Sequence, residues 1–291
     1  MKTDTTFDTR APVRASRRTP WLACALVAVA LLPGCASTPS GTASAPAVTP
    51  ELVRELAPSG ALRAAINFGN PILAGKDASG APSGVSVDLA RELARRLGVP
   101  VQFVTYTAAG QVVAAVKKGE WDVGFVAIDP TRAQDIAYST PYVTIEGAYM
   151  VRNGSPIRSN AEVDRPGVRV VVGQGSAYDL FLSRNIRQAT LVRAPTSPAV
   201  VDLFLAQNHE VAAGVRQQLE MDARRVGGVH VLDGRFMAIH QAMGTPRARA
   251  AGAAYLRGFV EEMKASGFVA QALARHRIEG AMVSPAGDAA P

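Results

Sequence analysis

One arginine stands where it can do chemistry. Within Trp121–Tyr142, WDVGFVAIDPTRAQDIAYSTPY, an apolar run from Val123 to Ile128 passes through a polar turn to Arg132, then into a short amphipathic segment that stops at Pro141. Strand, turn and helix start in that order is how an open α/β sheet presents a charge at the carboxyl edge of a strand, where such sheets bind ligands. A guanidinium there offers a planar fork of donors that suits a carboxylate. The plainer alternative is a surface ion pair with Asp135, worth little. A second candidate is GQGSAY. Gly173 and Gly175 permit a tight turn after a buried strand, and the N–H groups of Ser176, Ala177 and Tyr178 open a helix, where free donors and the helix dipole favour anions. A dinucleotide fingerprint needs a third glycine where Tyr178 stands, so that reading fails.

Other chemistries find less support. His209, His230, His240 and His276 show neither metal spacing nor a nucleophile partner. Cys24 and Cys35 are the only cysteines, and Cys24 lies in a segment expected to be removed, so no intramolecular disulfide or cysteine-based metal site is expected. No metal and no cofactor are expected. The 31 Lys+Arg against 24 Asp+Glu give +7. Residues 1–34 hold five of the basic and two of the acidic residues, so removing them leaves 26 against 22 and a charge of +4. No concentrated basic stripe with interleaved aromatics remains, and nucleic acid is not an expected partner.

These residues need a scaffold, and the pattern from Glu51 onward supplies one. Ala61–Phe68 reads as a strand. Ser86–Gly98 is a helix with Leu89, Leu93 and Leu97 on one face, Ser86 or Asp88 available as caps, and Gly98 to end it. Val101–Thr105, AGQVVAAVKKGE and WDVGFVAI continue strand, helix, strand, which implies a mainly parallel sheet covered by helices. A second round follows Tyr142: a long strand Val143–Arg152, then strand, glycine turn and helix in VRVVVGQGSAYDLFLSRN. LVRA, PAVVDLFLAQN and EVAAGVRQQLE then read as strand, helix, strand. VHVL and GRFMAIHQAMG are further strands, and Ala248–Lys264 and Phe268–Arg277 are helical. Phe68 and Tyr106, each at a strand end, are candidates for an apolar wall over a ligand or for core packing; Trp121 is expected to pack.

The N-terminus reads as an export signal: Lys2, Arg10, Arg14, Arg17 and Arg18 precede the apolar run Trp21–Leu32, too short for a comfortable membrane span. A signal-anchor helix is the alternative. SRRTPWL faintly resembles a twin-arginine signal, but Pro20 interrupts it and the general secretory route is favoured. LPGC resembles the lipobox of bacterial lipoproteins, with Pro33 in place of the usual small or β-branched residue. That resemblance implies acylation of Cys35 as the first mature residue. Residues 36–50 carry no charge and read as a flexible tether, and Ala281–Pro291 looks equally loose.

Five blocks, GALRAAINF, GVSVDLARELARRLGVPVQFV, KKGEWDVGFVAI, TRAQDIAYSTPYV and GVRVVVGQGSAYDLF, follow one another in register between Gly60 and Phe181, within a resemblance that extends over roughly residues 58–280. In order and spacing they resemble the bacterial extracellular solute-binding proteins of family 3, the receptors of polar amino acid ABC importers. The resemblance implies an α/β two-lobed clamshell, each lobe a mainly parallel sheet flanked by helices, with two crossing hinge strands near Tyr149–Arg152 and Ala238–Gln241. The expected division is a signal at 1–34, a tether at 35–50, lobe 1 at 51–148, lobe 2 at 149–238, a return to lobe 1 at 239–280, and a tail at 281–291. It further implies a periplasmic, membrane-tethered lipoprotein, monomeric, that partners an inner-membrane permease. Arg132 falls on the arginine that takes the ligand α-carboxylate, and Ser176 and Ala177 on the opposing carboxylate contact. Family members that bind α-amino acids usually carry a carboxylate after the corresponding lobe-two strand; that position is read as Gln217, flanked by Arg216. A Ser or Thr usual five residues before the arginine is Ala127 here. Asp129 or Glu146 is a candidate replacement charge for an ammonium; alternatively Gln217 and Arg216 face a neutral or anionic end. An enzyme of the cyclohexadienyl dehydratase type, with Glu146 or Asp129 as proton donor, and a tethered solute sensor are the competing readings.

Overall fold

The chain lays down its sheet in two rounds. In a computed structural model describing residues 47–287, helix α1 (Pro50–Leu56) precedes β1 (Leu62–Asn67) and a small hairpin of β2 (Gly75–Lys76) and β3 (Pro82–Ser83). Helix α2 (Val85–Leu97), β4 (Val101–Tyr106), α3 (Ala109–Val116) and β5 (Val123–Ala127) complete that round. A 3-10 turn, Arg132–Gln134, leads into the 17-residue β6 (Ile136–Arg152). The second round is β7 (Arg169–Gly173), α4 (Ala177–Asn185), β8 (Thr190–Ala194), α5 (Val200–Ala206), β9 (Val211–Val215), α6 (Arg216–Val226) and β10 (Val229–Val231). Strand β11 (Met237–Pro246), α7 (Ala250–Ala265), α8 (Phe268–Arg275) and β12 (Met282–Val283) follow. The segment 1–34, Cys35 and most of the tether lie outside the described residues. Among those described, no helix is long and apolar enough to cross a membrane.

The strand order β4-β1-β5-β11-β6-β9-β7-β8 explains the two lobes. Strand β1 pairs in parallel with β4 and β5, and β7 in parallel with β8 and β9. Between these triplets β11 and β6 run antiparallel, from Met237↔Gly147 to Pro246↔Ile136. The two strands expected to cross between lobes lie within this pair. Parallel strands buried on both faces need continuous apolar runs, and β5, Val-Gly-Phe-Val-Ala, is buried at every position. At Gly124 the Trp121 ring packs 3.3 Å from where a Cβ would stand, so a larger residue would have to displace the indole. Trp121 is fully buried and donates from Nε1 to Val112 O at 2.8 Å.

Helix α2 follows its apolar stripe: Leu89, Leu93 and Leu97 are buried, and Gly98 at φ 69° closes it in the left-handed conformation. Its cap differs from expectation. Gly84 holds that place, and the Ser86 hydroxyl instead meets the Tyr142 hydroxyl at 3.2 Å.

Three further expectations change. The amphipathic segment after Arg132 becomes strand, since β6 begins at Ile136; Pro141 is tolerated because the β6–β11 ladder shifts register beside Ala242, where no N–H is needed. EVAAGVRQQLE is not one strand: β9 stops at Val215 and α6 starts at Arg216. Residues 281–287 are not uniformly loose, because Met282–Val283 pair with Thr144–Val143 of β6 and the buried Ser284 hydroxyl meets Thr144 at 2.8 Å. Two apolar residues and an unpaired stretch of β6 suffice to draw that strand in. At the other end, Thr49 caps α1 by accepting from Leu52 N, so the tether gives way to helix at Pro50.

Candidate functional site

Parallel strands point their carboxyl ends the same way, so the loops after β1 and β5 meet those after β7 and β9 across one cleft. The cleft holds about 350 Å³ of empty space, counted out into its open mouth. Arg132, Ala127, Asn67, Ser176, Ala177, Tyr178, Ser197, Val215, Ile239 and Gln241 are among the residues that line it.

Arg132 is buried, with 2% of its surface exposed. Its Nη1 donates to Ala127 O at 2.9 Å, and its Nη2 crosses to the other side to donate to Gly175 O at 2.8 Å. Nε is buried without a partner, and no described carboxylate forms an ion pair with it. Burial pushes the guanidinium pKa down from its ordinary value; Tyr138 and Asp129 oppose this, and Arg184 adds to it. A buried, unpaired cation with an orphaned donor is poised for an anion. The alternative pair with Asp135 does not form: that carboxylate lies 3.2 Å from Lys117 Nζ.

The facing wall comes from the turn before α4. Ser176 caps the helix by accepting from Asp179 N at 3.0 Å. Gly175, at φ 68°, approaches so closely that a Cβ there would lie 3.0 Å from Gly110 Cα. A second bridge closes the cleft where Arg184 Nη2 donates to Asp129 Oδ2 at 2.8 Å. Tyr178 is enclosed; burial raises its pKa, and Ser197 and Ser176 lie close enough to oppose the shift, though its hydroxyl makes no hydrogen bond of good geometry.

Arg132, Ser176, Ala177 and Tyr178 are thus brought together. The other candidates are not. Asp129 is committed to Arg184 and to Thr131 N, outside the lining residues. Phe68 packs on the core beneath Lys76, 5.6 Å from its ring centroid. Tyr106 donates to Glu120 Oε2 at 2.9 Å; burial and then Glu120 raise its pKa to about 12. Burial pushes the Glu146 carboxyl up, but Arg235 at 3.1 Å and Arg216 at 3.0 Å grip it and together hold it below its ordinary range.

Gln217 lies on the first turn of α6, beside a separate surface cavity that Arg216, Arg277 and Gly280 also line. The residue at the end of β9 that does line the cleft is Val215. The difference follows from ending β9 two residues early. Asn67, Ser197, Val215 and Gln241 were not anticipated. Asn67 and Val215 close parallel strands and were findable on that ground, whereas Gln241 faces the cleft only because β11 crosses between the lobes. Among the described residues, Arg132 is the one charged side chain that lines this space, alongside amides, hydroxyls and small apolar groups.

An α/β clamshell with a cleft between its lobes is the fold of the periplasmic binding proteins. The chain belongs to the bacterial extracellular solute-binding proteins, family 3, whose profile matches residues 62–277. It is similar in fold to an ancestral amino acid-binding protein described as a precursor of cyclohexadienyl dehydratase: TM-score 0.66, 21% identity, covering 77% of this chain and 98% of that one. It also resembles the solute receptor for L-cysteine of Neisseria gonorrhoeae, at TM-score 0.67 and 22% identity over 75% of this chain and 90% of that one. A segment of 101 residues, 34% of this chain, is 31% identical to the membrane-bound lytic murein transglycosylase F of Idiomarina loihiensis, of which it spans only 22%.

Proposed function

We propose that this protein is the extracytoplasmic receptor of an ABC importer and that it closes on a small carboxylate lacking an α-ammonium group. The observation that carries this is Arg132: a buried guanidinium with an orphaned Nε, where the described residues that line the cleft around it include no acid. An ammonium beside that uncompensated cation would meet repulsion with nothing to neutralise it, whereas a carboxylate supplies the missing acceptor. Family membership and binding-protein neighbours support a receptor. Binding is favoured over dehydration because the lining also holds no imidazole, and Glu146 and Asp129 are committed to arginines away from it.

The solute would pass to an inner-membrane permease. Acylated Cys35 would tether the monomer in the periplasm. The test is a thermal-shift screen of α-amino acids, monocarboxylates, dicarboxylates and aromatic acids, followed by calorimetry, since a saturating ligand stabilises the folded state by mass action. Stabilisation by carboxylates without an ammonium is expected. Stabilisation by ordinary α-amino acids alone would sink the reading, and conversion of prephenate to phenylpyruvate would replace it with catalysis.

A further inference from the structure

The cleft does not end at the arginine. It continues into a second, more enclosed chamber of about 290 Å³ of empty space, open mouth included. Asn70, Tyr178, Ser197 and Val215 line both spaces. Val200, Val201 and Leu219 make the new walls apolar, and Gln218 and Asp222 of α6 bring polar groups.

The orientation of Gln218 is determined by its partner. Nε2 donates to Asp222 Oδ2 at 2.9 Å, and since a carboxylate can only accept, the amide cannot be turned end for end. That leaves Gln218 Oε1 buried with no donor. Asn70 Oδ1 is buried and unmatched as well. Asp222 adds no free charge, because Oδ1 accepts from Arg225 Nε at 3.0 Å and Nη2 at 2.8 Å. The chamber therefore offers a carbonyl acceptor, Gln218 Oε1, in an apolar, charge-balanced setting, the complement of an uncharged donor.

We propose that the solute carries, at the end remote from its carboxylate, a neutral hydrogen-bond donor such as a hydroxyl or primary amide, accepted by Gln218 Oε1 beside the Asn70 amide. This rests on the carboxylate reading of Arg132 and extends it to the substrate class: ω-hydroxy or ω-amide acids with an apolar spacer. The test is calorimetry on the full mature protein with four series of increasing chain length: straight-chain acids ending in methyl, in hydroxyl, in primary amide and in ammonium. At the best length the hydroxyl or amide acid should bind about tenfold tighter than its methyl counterpart, as one or two buried neutral hydrogen bonds supply. In Gln218→Met, which keeps the volume but removes both the acceptor and the donor to Asp222 Oδ2, that advantage over the methyl acid measured in the same variant should fall below about threefold, and urea denaturation of the variant reports that it is folded. Equal affinity for methyl acids at every length, a preference for the ammonium series, or an advantage that survives in Gln218→Met would overturn the inference and leave the carboxylate reading standing. Absence of binding by all four series would overturn both.

Discussion

Replacing Arg132 by methionine should separate ligand binding from stability in opposite directions. In the ligand-free protein the substitution removes two hydrogen bonds, to Ala127 O and Gly175 O, each worth about 1.5–3 kcal/mol for a charged donor. It also removes the cost of burying a guanidinium that has no ion-pair partner among the described residues, several kcal/mol by the same scale of reasoning. These terms nearly cancel, and an apolar side chain of similar length fills the space, so urea denaturation should show a change within about 2 kcal/mol or a gain in stability. Binding has no such compensation. Loss of the single cation that meets the carboxylate should cost about 2–5 kcal/mol, or about 30-fold to several-thousand-fold in affinity. The assay is calorimetry with whichever acid the screen identifies, run beside denaturation of both proteins without ligand. Unchanged affinity would remove Arg132 from the site. A loss of more than about 4 kcal/mol of ligand-free stability would make it a structural strut between the lobes instead.

Other outcomes follow from the same geometry. Val215→Asp should place a carboxylate in the cleft and raise affinity for α-amino acids by about tenfold, as one compensated charge supplies, whereas Gln217→Asp should leave the amino acid panel unchanged because that residue faces a different cavity; calorimetry with both variants checks the pair. Asp129→Asn should lower ligand affinity by less than about fivefold, since its cross-cleft partner Arg184 is 43% exposed and such a bridge is worth little. Asp122, fully buried, accepts from Arg63 and Arg249 at 2.8 Å; Asp122→Ala strands both arginines and should cost about 3–5 kcal/mol in urea denaturation. Arg95 and Arg96 bring the Glu92 carboxyl from an ordinary 4.5 to about 2, and Arg169 does the same for Glu210, with burial opposing in both cases. Their stabilisation is therefore complete above about pH 4.5 and is lost as pH falls toward 2. Denaturation midpoints in the Glu92→Gln, Glu210→Gln protein should fall less steeply across that window.

How much of this was legible from residues alone depended on whether the signal was local. The stripe of Leu89, Leu93 and Leu97 and the stop at Gly98 specify α2 because they lie on one turn-by-turn repeat. The GQGSAY turn was legible because glycine at φ 68° and a serine cap are properties of six consecutive residues. Arg132 as a residue of the cleft was legible through its place after a buried strand. The misreadings share a cause. Ile136–Tyr142 is amphipathic in either period, and pairing with β11 makes it strand; VAAGVRQQLE contains no breaker at Val215, so the point where β9 yields to α6 is set by packing on β6 and β7.

The amino-acid order by itself determined the alternation of strand and helix, the two rounds of α/β structure, and the arginine and the glycine turn each placed just after its own buried strand, because each follows from hydrophobic period and turn chemistry over a few residues. Tertiary structure alone decided that β6 and β11 cross between the lobes, that Gln241 and Val215 enter the cleft while Gln217, Glu146 and Asp129 do not, and that Arg132 stands there as the single charge. Those facts depend on which distant segments are brought within hydrogen-bond reach, and no periodicity in the chain encodes a contact between Arg132 and Gly175, 43 residues apart.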